Sequence, residues 1–275
     1  MQSLVRLQSS LVNGLVFTSA ICVRKTSNAR GSIAKTIAAL ERQQKQAAKS
    51  MYAPQKFTNF LVVDLEATCN QDGPPPYPQE IIEFPVLHLC GRTFQEVSRF
   101  HTYVQPDVHK ELSDFCTELT GIVQSMLADK PSLKTVLISL DEWMQNNSIT
   151  QTNSAVVTFG EWDMASALVN QCQYLGIAVP PIFRQWINLK KSLLEHTRQW
   201  PRNLSAALRN ACIEQKGRPH SGIDDCLNIA ELMRYLARSG YVFHFTGGNN
   251  LPKRHITDPL LGTVKVSRRP GYASR

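Results

Sequence analysis

The apolar positions of this chain come in short blocks, and the period within each block predicts an element. Phe60-Leu-Val-Val63 is a short apolar run of β-forming residues, as expected of a buried strand. A proline-rich loop, Gly73-Pro-Pro-Pro76, follows it. Ile81–Leu89 and Arg99–Val104 read as further strands, with Gly91-Arg92 marking the turn between them. Helical spacing then takes over. Ser113 stands where a cap would begin a short helix towards Thr120. Pro131-Ser132 opens a longer helix in which Leu133, Val136, Leu137, Leu140 and Trp143 recur on one face. Ala155–Phe159 predicts a strand, and Trp162 to about Tyr174 a helix ended by Gly176. Asn203–Cys212 and Gly222–Arg238 predict two more helices, the second stopped by Ser239-Gly240, and Val242–Phe245 a short final strand. There is no internal repeat. Strands first, then helices and strands mixed, predict the α/β class: a single domain with a mixed sheet flanked by helices.

Composition places that domain between two unlike ends. The first fifty residues are rich in Ser, Lys, Arg and Ala and carry eight Lys/Arg against a single acid, Glu41. Such a composition is that of a mitochondrial transit peptide. It is also that of an extension with no address, in which residues 33–49 form a basic helix. A secretory signal fits less well, because Asn13, Gly14, Thr18 and Ser19 interrupt the run from Leu11 to Val23. The expected organisation is a basic extension over 1–51, a folded domain over 52–246 and a basic tail over 247–275. The expected location is mitochondrial, with cytoplasm or nucleus as alternatives.

The formal net charge of +8 invites a nucleic-acid reading, but residues 51–246 hold 16 Lys/Arg against 20 Asp/Glu. The basicity belongs to the ends, and the mildly acidic middle suits a site for divalent cations. No run of about 18 apolar residues occurs, so no membrane partner is expected. Seven cysteines, an odd number with no CxxC pair, argue against a disulfide framework or structural zinc and for buried thiols.

Against that background three sets of residues carry candidate chemistry. Asp64 and Glu66 end the run Phe60–Val63, and alternation along a strand sends both to one face with Leu65 opposite. Two adjacent carboxylates repel unless a cation lies between them, and hard oxygen donors suit Mg²⁺. Taken alone, the pair more often marks a strand end entering solvent. Asp163 follows the strand Ala155–Phe159 and starts the next helix; alone, it reads as a complement to the helix dipole. His220 lies in the loop before the last helix, with Asp225 in that helix's first turn, a plausible pairing of base and metal ligand. Asp224 competes for the ligand role, with helix-terminus stabilisation as its plainer use.

Together these sets form an ordered pattern, and the words around them narrow it. Asp64-Leu-Glu-Ala-Thr-Cys69, Gln79-Glu-Ile-Ile-Glu-Phe-Pro85, Leu112-Ser-Asp-Phe-Cys116 with Leu119-Thr-Gly-Ile122, Trp162-Asp163, Gln185-Trp-Ile-Asn-Leu-Lys190 and Gly217-Arg-Pro-His-Ser-Gly-Ile-Asp-Asp225 resemble the Eri-type DEDDh 3′→5′ exoribonucleases. The resemblance runs from about Phe57 to Phe245. Leu65 stands where that family often has an aromatic residue, a change that removes no ligand. Neither an RNA-binding module before the domain nor a zinc finger after it is recognisable.

The resemblance implies an RNase H-like fold and a two-metal hydrolysis releasing nucleoside 5′-monophosphates from RNA 3′ ends, single-stranded or with a 3′ overhang. It implies that Asp64, Glu66, Asp163 and Asp225 hold two Mg²⁺ ions, for which Mn²⁺ can substitute, and that His220 is the general base. It further implies that Phe115 and Trp162 sandwich the terminal base and that backbone groups at Ala67 and Thr68 meet the terminal ribose. A nuclease for DNA or short oligonucleotides, and a non-catalytic RNA-binding protein, are the alternatives. Glu80 and Glu83 receive no catalytic role, ion pairing at a strand edge being expected. Lys190, Lys191 and Arg218 are open between phosphate contacts and solvated charges. Protein partners are not legible.

Overall fold

The structure is a computed structural model that describes residues 51–248; the basic extension, with its expected helix over 33–49, and the chain after residue 248 lie outside the described residues. A seven-stranded mixed sheet forms its centre. Strand β1 (Asn59–Val63) is flanked by β5 (Ser154–Thr158), parallel to it, and by β3 (Ile81–Cys90), antiparallel to it. The short β2 (Glu66–Ala67) resumes the β1 pairing in register as far as Glu66, with Val63 opposite Val86 and Glu66 opposite Glu83, and shifts by one at Ala67, which lies opposite Ile81. On the far side of β3, β4 (Glu96–Tyr103) completes a hairpin. Beyond β5 come β6 (Gln185–Asn188), parallel, and β7 (Gly247–Gly248), antiparallel.

Strand alternation divides the core into two layers, and this division sets the side on which the acids emerge. Phe60 and Val62 pack with Val157, Ile187 and helix α7 (Gly222–Arg238), whose Ile229, Met233 and Leu236 are fully buried. Leu61, Val63 and Leu65 pack on the other face, with Leu133, Val136 and Leu140 of α3 (Leu133–Asn146) and Leu168 of α4 (Leu168–Tyr174). Because side chains alternate, Asp64 and Glu66 belong to the α7 face. A third cluster joins Cys69 and Ile82 to Cys116 of α1 (Asp114–Thr120) and Leu127 of α2 (Gln124–Leu127).

Most elements fall where the pattern predicts. Ser113 caps α1 by accepting from the Cys116 N–H at 3.0 Å, and α3 buries Leu133, Val136, Leu137 and Leu140 of its expected stripe, with Met144 buried and Trp143 only partly so. Four differences have physical causes. The helix expected from Trp162 begins as a π-helical turn, Asp163–Ala167, before becoming α4, a widened winding often found at functional sites. Gln185–Asn188 is a strand and α5 (Leu189–Thr197) a helix, where the sequence offered too short an apolar run to predict either. A shorter helix, α6 (Leu204–Asn210), stands within the expected Asn203–Cys212.

The fourth is a correction: Val242–Phe245 is not a strand. Phe243 is fully buried in the α7 layer, but its N–H donates to the Gln55 side chain at 2.9 Å rather than to a neighbouring strand. The last strand is Gly247–Gly248 instead. A Cβ on Gly247 would lie 2.3 Å from the Trp186 ring, so only glycine can pair there.

Among the described residues no cysteine is in a disulfide; Cys69, Cys116, Cys172 and Cys226 are buried, Cys90 is half-buried and Cys212 exposed. No described helix is long and apolar enough to cross a membrane.

Candidate active site

The chain leaves β1 towards β3 and leaves β5 towards β6, so the two parallel neighbours part in opposite directions at their carboxyl ends. Such a divergence opens a crevice where side chains from several segments can meet. Asp64 follows β1 directly, Glu66 opens β2, and Asp163 lies five residues past the end of β5. Asp163 is buried, and its Oδ1 accepts from the Leu65 N–H at 2.9 Å. That bond ties the Asp163 turn to the gap between β1 and β2.

From the other side of the crevice comes α7. Asp225 shares the buried stripe that Ile229 and Met233 continue, so it faces the sheet. Its Oδ2 accepts from the His220 N–H at 3.0 Å, while Oδ1 is buried with no hydrogen-bond partner. His220 has φ +61, in the left-handed region. Side-chain donor atoms of Glu66, His220 and Asp225 lie within 4.8 Å of one another. Asp224 is turned elsewhere: its Oδ2 accepts from the Arg218 N–H at 2.9 Å, shaping the loop before His220.

The electrostatics are those of crowded, desolvated carboxylates. Burial, then Asp163, Asp225, Glu66 and Glu83, push Asp64 well above the ordinary carboxylate range. Burial pushes Asp163 up to about 6, against the Leu65 and Asp163 backbone N–H groups that pull it down. Burial also pushes Asp225 up to about 6, opposed chiefly by the His220 N–H. Among the described residues no Lys or Arg forms an ion pair with Asp64, Asp163 or Asp225. An orphaned buried Asp225 oxygen, hard donors and uncompensated negative charge together fit divalent cations.

The aromatic and backbone candidates are placed less directly. Phe115 on α1 is half-buried against the cluster of Cys69, Ile82 and Cys116, and Trp162 is half-buried against the α3–α4 layer. Each keeps part of its ring open. Thr68 is already engaged: its N–H donates to Glu80 O at 2.8 Å, its carbonyl accepts from Gln79 at 2.9 Å, and its hydroxyl accepts from the Glu80 N–H at 3.0 Å. The carbonyl of Ala67 accepts from the Cys116 thiol at 3.7 Å.

Glu80 and Glu83 do more than pair at a strand edge. Both are 1% exposed. Glu80 accepts from the backbone N–H groups of Asp107, Val108 and His109, at 2.6–3.0 Å, and makes no ion pair among the described residues. Glu83 does pair with His101, at 2.8 Å, but it also accepts from the N–H groups of Gly222 and Ile223 at the start of α7. The sequence held the signal: a glutamate inside an apolar strand run is almost never buried without a partner. Lys191 pairs with Glu161 at 2.5 Å, Lys190 lies over the Phe159 ring at 5.1 Å, and Arg218 donates to the Glu118 carbonyl on α1.

Comparison with known proteins agrees with this geometry. The exonuclease family model RNase_T matches residues 61–233. ERI1 exoribonuclease 3 of Homo sapiens is 50% identical over 203 residues, covering 73% of this chain and 60% of that protein. The chain thus spans less than two thirds of the length of the curated relatives it matches. The nuclease domain of 3′hExo, a DEDDh family member solved with rAMP, is 33% identical at a TM-score of 0.68, covering 72% of this chain and all of that one. A 3′-exonuclease solved in a study of histone mRNA stem-loop recognition is 34% identical at a TM-score of 0.64, covering 68% of this chain and 84% of that one. An RNase H-like mixed sheet, the DEDDh residues in order around one crevice and these identities lead to one conclusion: the chain belongs to the Eri-type DEDDh exoribonuclease family, whose members are metal-dependent exonucleases.

Proposed function

We propose that this protein removes nucleoside 5′-monophosphates from the 3′ ends of RNA, single-stranded or overhanging, by metal-assisted hydrolysis at the β1–β5 crevice. The observation that carries the reading is the convergence of Asp64, Glu66, Asp163, Asp225 and His220 with a buried Asp225 oxygen left unpaired. Asp64, Glu66, Asp163 and Asp225 are the residues that would hold two Mg²⁺ ions, or Mn²⁺ in their place. When bound, such a pair neutralises the crowded carboxylates, activates water and stabilises the leaving 3′-oxygen. His220 takes the proton from the attacking water. Its N–H bond to Asp225 holds the loop that aims the ring. Phe115 and Trp162 take the terminal base between them, a mode that tolerates any base. Backbone groups around Ala67 and Thr68 meet the terminal ribose, where a contact to the 2′-hydroxyl favours RNA. The similar proteins are exoribonucleases, which favours RNA over DNA as the polymer.

The test is digestion of a 5′-labelled RNA with a 3′ overhang beside its DNA counterpart, with Mg²⁺, with EDTA, and with His220→Ala protein. The expected result is a ladder shortening from the 3′ end, faster on RNA, absent with EDTA and strongly reduced in the variant. Equal or faster DNA cleavage would overturn RNA as the substrate, and tight RNA binding without turnover in either metal would overturn the enzyme. A mitochondrial location is part of the proposal and rests on the composition of residues 1–50. A fluorescent fusion retaining those residues, compared with one lacking them, tests it, and identical distributions would refute it.

A further inference from the structure

We infer that Glu83 is a positioning residue for the crevice: its buried carboxylate fixes the first turn of α7 against β3 and so sets Asp225 and His220 opposite Glu66. The inference rests on the metal-binding reading above. Its starting point is a cost. A fifth carboxylate, 1% exposed, lies beside Asp64 and Asp225 and adds to their repulsion. A protein tolerates such a group where specific donors hold it.

The donors are in place. Glu83 Oε2 accepts from the Gly222 N–H at 3.0 Å, and Oε1 from the Ile223 N–H at 3.2 Å and from His101 Nε2 at 2.8 Å. The first two are N–H groups that a helix leaves unsatisfied at its start. A local cap would serve the helix equally well, yet Ser221, at the N-cap position, makes no side-chain capping bond. The cap comes instead from a different element, and this makes it a tether rather than a terminator.

What the tether joins is specific. Across the sheet Glu83 is the ladder partner of Glu66. Through α7 it reaches Asp225, three residues after Gly222, and through the Asp225–His220 bond it reaches the His220 loop. One side chain therefore links three groups whose donor atoms lie within 4.8 Å of one another. Close approach is built in as well: a Cβ on Gly222 would lie 2.5 Å from the Asp64 carbonyl and 3.2 Å from Glu83 Oε2. Glu80 shows the alternative use of the same residue type. Equally buried, it takes three N–H groups of the 107–109 loop instead of the start of α7.

The experiment measures Mn²⁺ affinity by titration calorimetry and amide exchange at Ile223 in wild type, Glu83→Gln, Glu83→Ala and Glu80→Gln. Groups that orient metal ligands are worth roughly 10–100-fold in affinity. Glu83→Ala should weaken Mn²⁺ binding by about that factor and speed exchange at Ile223, with Glu83→Gln, which keeps one acceptor oxygen, in between. Glu80→Gln should lower the melting temperature while changing Mn²⁺ affinity less than about twofold. If Glu83→Ala does not fold, Glu83→Gln decides. If neither folds, His101→Phe, which removes one donor at a partly exposed site, should shift affinity in the same direction. Folded Glu83 variants that bind Mn²⁺ like wild type would overturn the inference alone, as would Glu80→Gln weakening binding equally. A wild type that binds no Mn²⁺ would overturn the metal-binding reading and this inference together.

Discussion

His220 sits at φ +61, a backbone region that costs a residue with a Cβ roughly 1–2 kcal/mol. The strain is met locally, since its N–H is held by Asp225 Oδ2 and the turn before it by Asp224. Glycine would adopt the same backbone without that cost. This separates stability from chemistry in one substitution. His220→Gly should melt no lower than wild type, because the backbone is relieved as the ring is lost. Its turnover should fall by roughly 10²–10⁴-fold, the usual contribution of a positioned proton acceptor. Melting curves and single-turnover digestion of the same preparation check both halves. Turnover within tenfold of wild type would remove His220 from the mechanism.

At the scale of elements, α7 decides the site. Its buried stripe of Cys226, Ile229, Met233 and Leu236 seats it on the sheet, and the same stripe extended backwards reaches Asp225. Its first turn lies so close to β1 and β3 that Gly222 has no room for a side chain. In an exposed helix Gly→Ala would stabilise by up to about 1 kcal/mol. Here Gly222→Ala must push the helix start away from Asp64, and over-packing of this kind costs typically 1–3 kcal/mol. The expected outcome is a lower melting temperature together with weaker turnover, because Asp225 and His220 move with the helix. A stabilised, fully active Gly222→Ala protein would show that the crevice tolerates a wider spacing.

For the whole molecule, the uncompensated carboxylates couple stability to pH and metal. Asp163 and Asp225 are both raised to about 6 from an ordinary 3.8. Between those values the metal-free fold binds more protons than the unfolded chain. Their contribution is therefore full below about pH 4 and is lost as pH rises through about 6. Cations reverse the penalty. A ligand present at a hundredfold over its Kd adds about 2.7 kcal/mol. Mg²⁺ should thus raise the melting temperature more at pH 8 than at pH 5. Asp64→Asn, which removes one repelling charge, should melt higher than wild type in EDTA at pH 8 and respond less to Mg²⁺. Equal Mg²⁺ responses at both pH values would sink the argument.

The sequence by itself determined the alternation that puts Asp64 and Glu66 on one face, the capped start of α1 and the span of α7 up to its stop at Ser239-Gly240. These are local consequences of backbone period and hydrogen-bonding groups, so they can be read from neighbours in the chain. It also held the DEDDh residues in order, although taken singly they read as a strand end, a complement to a helix dipole and a loop histidine. Only the tertiary structure decided that β1 and β5 part at their carboxyl ends, and that Asp163 closes on Leu65. It alone showed that Phe243 packs without forming a strand while Gly247 pairs, and that Glu83 reaches across to α7. Those outcomes depend on residues up to 188 positions apart meeting in space. Desolvation and steric fit at such meetings come from the packed fold, and no local pattern encodes them.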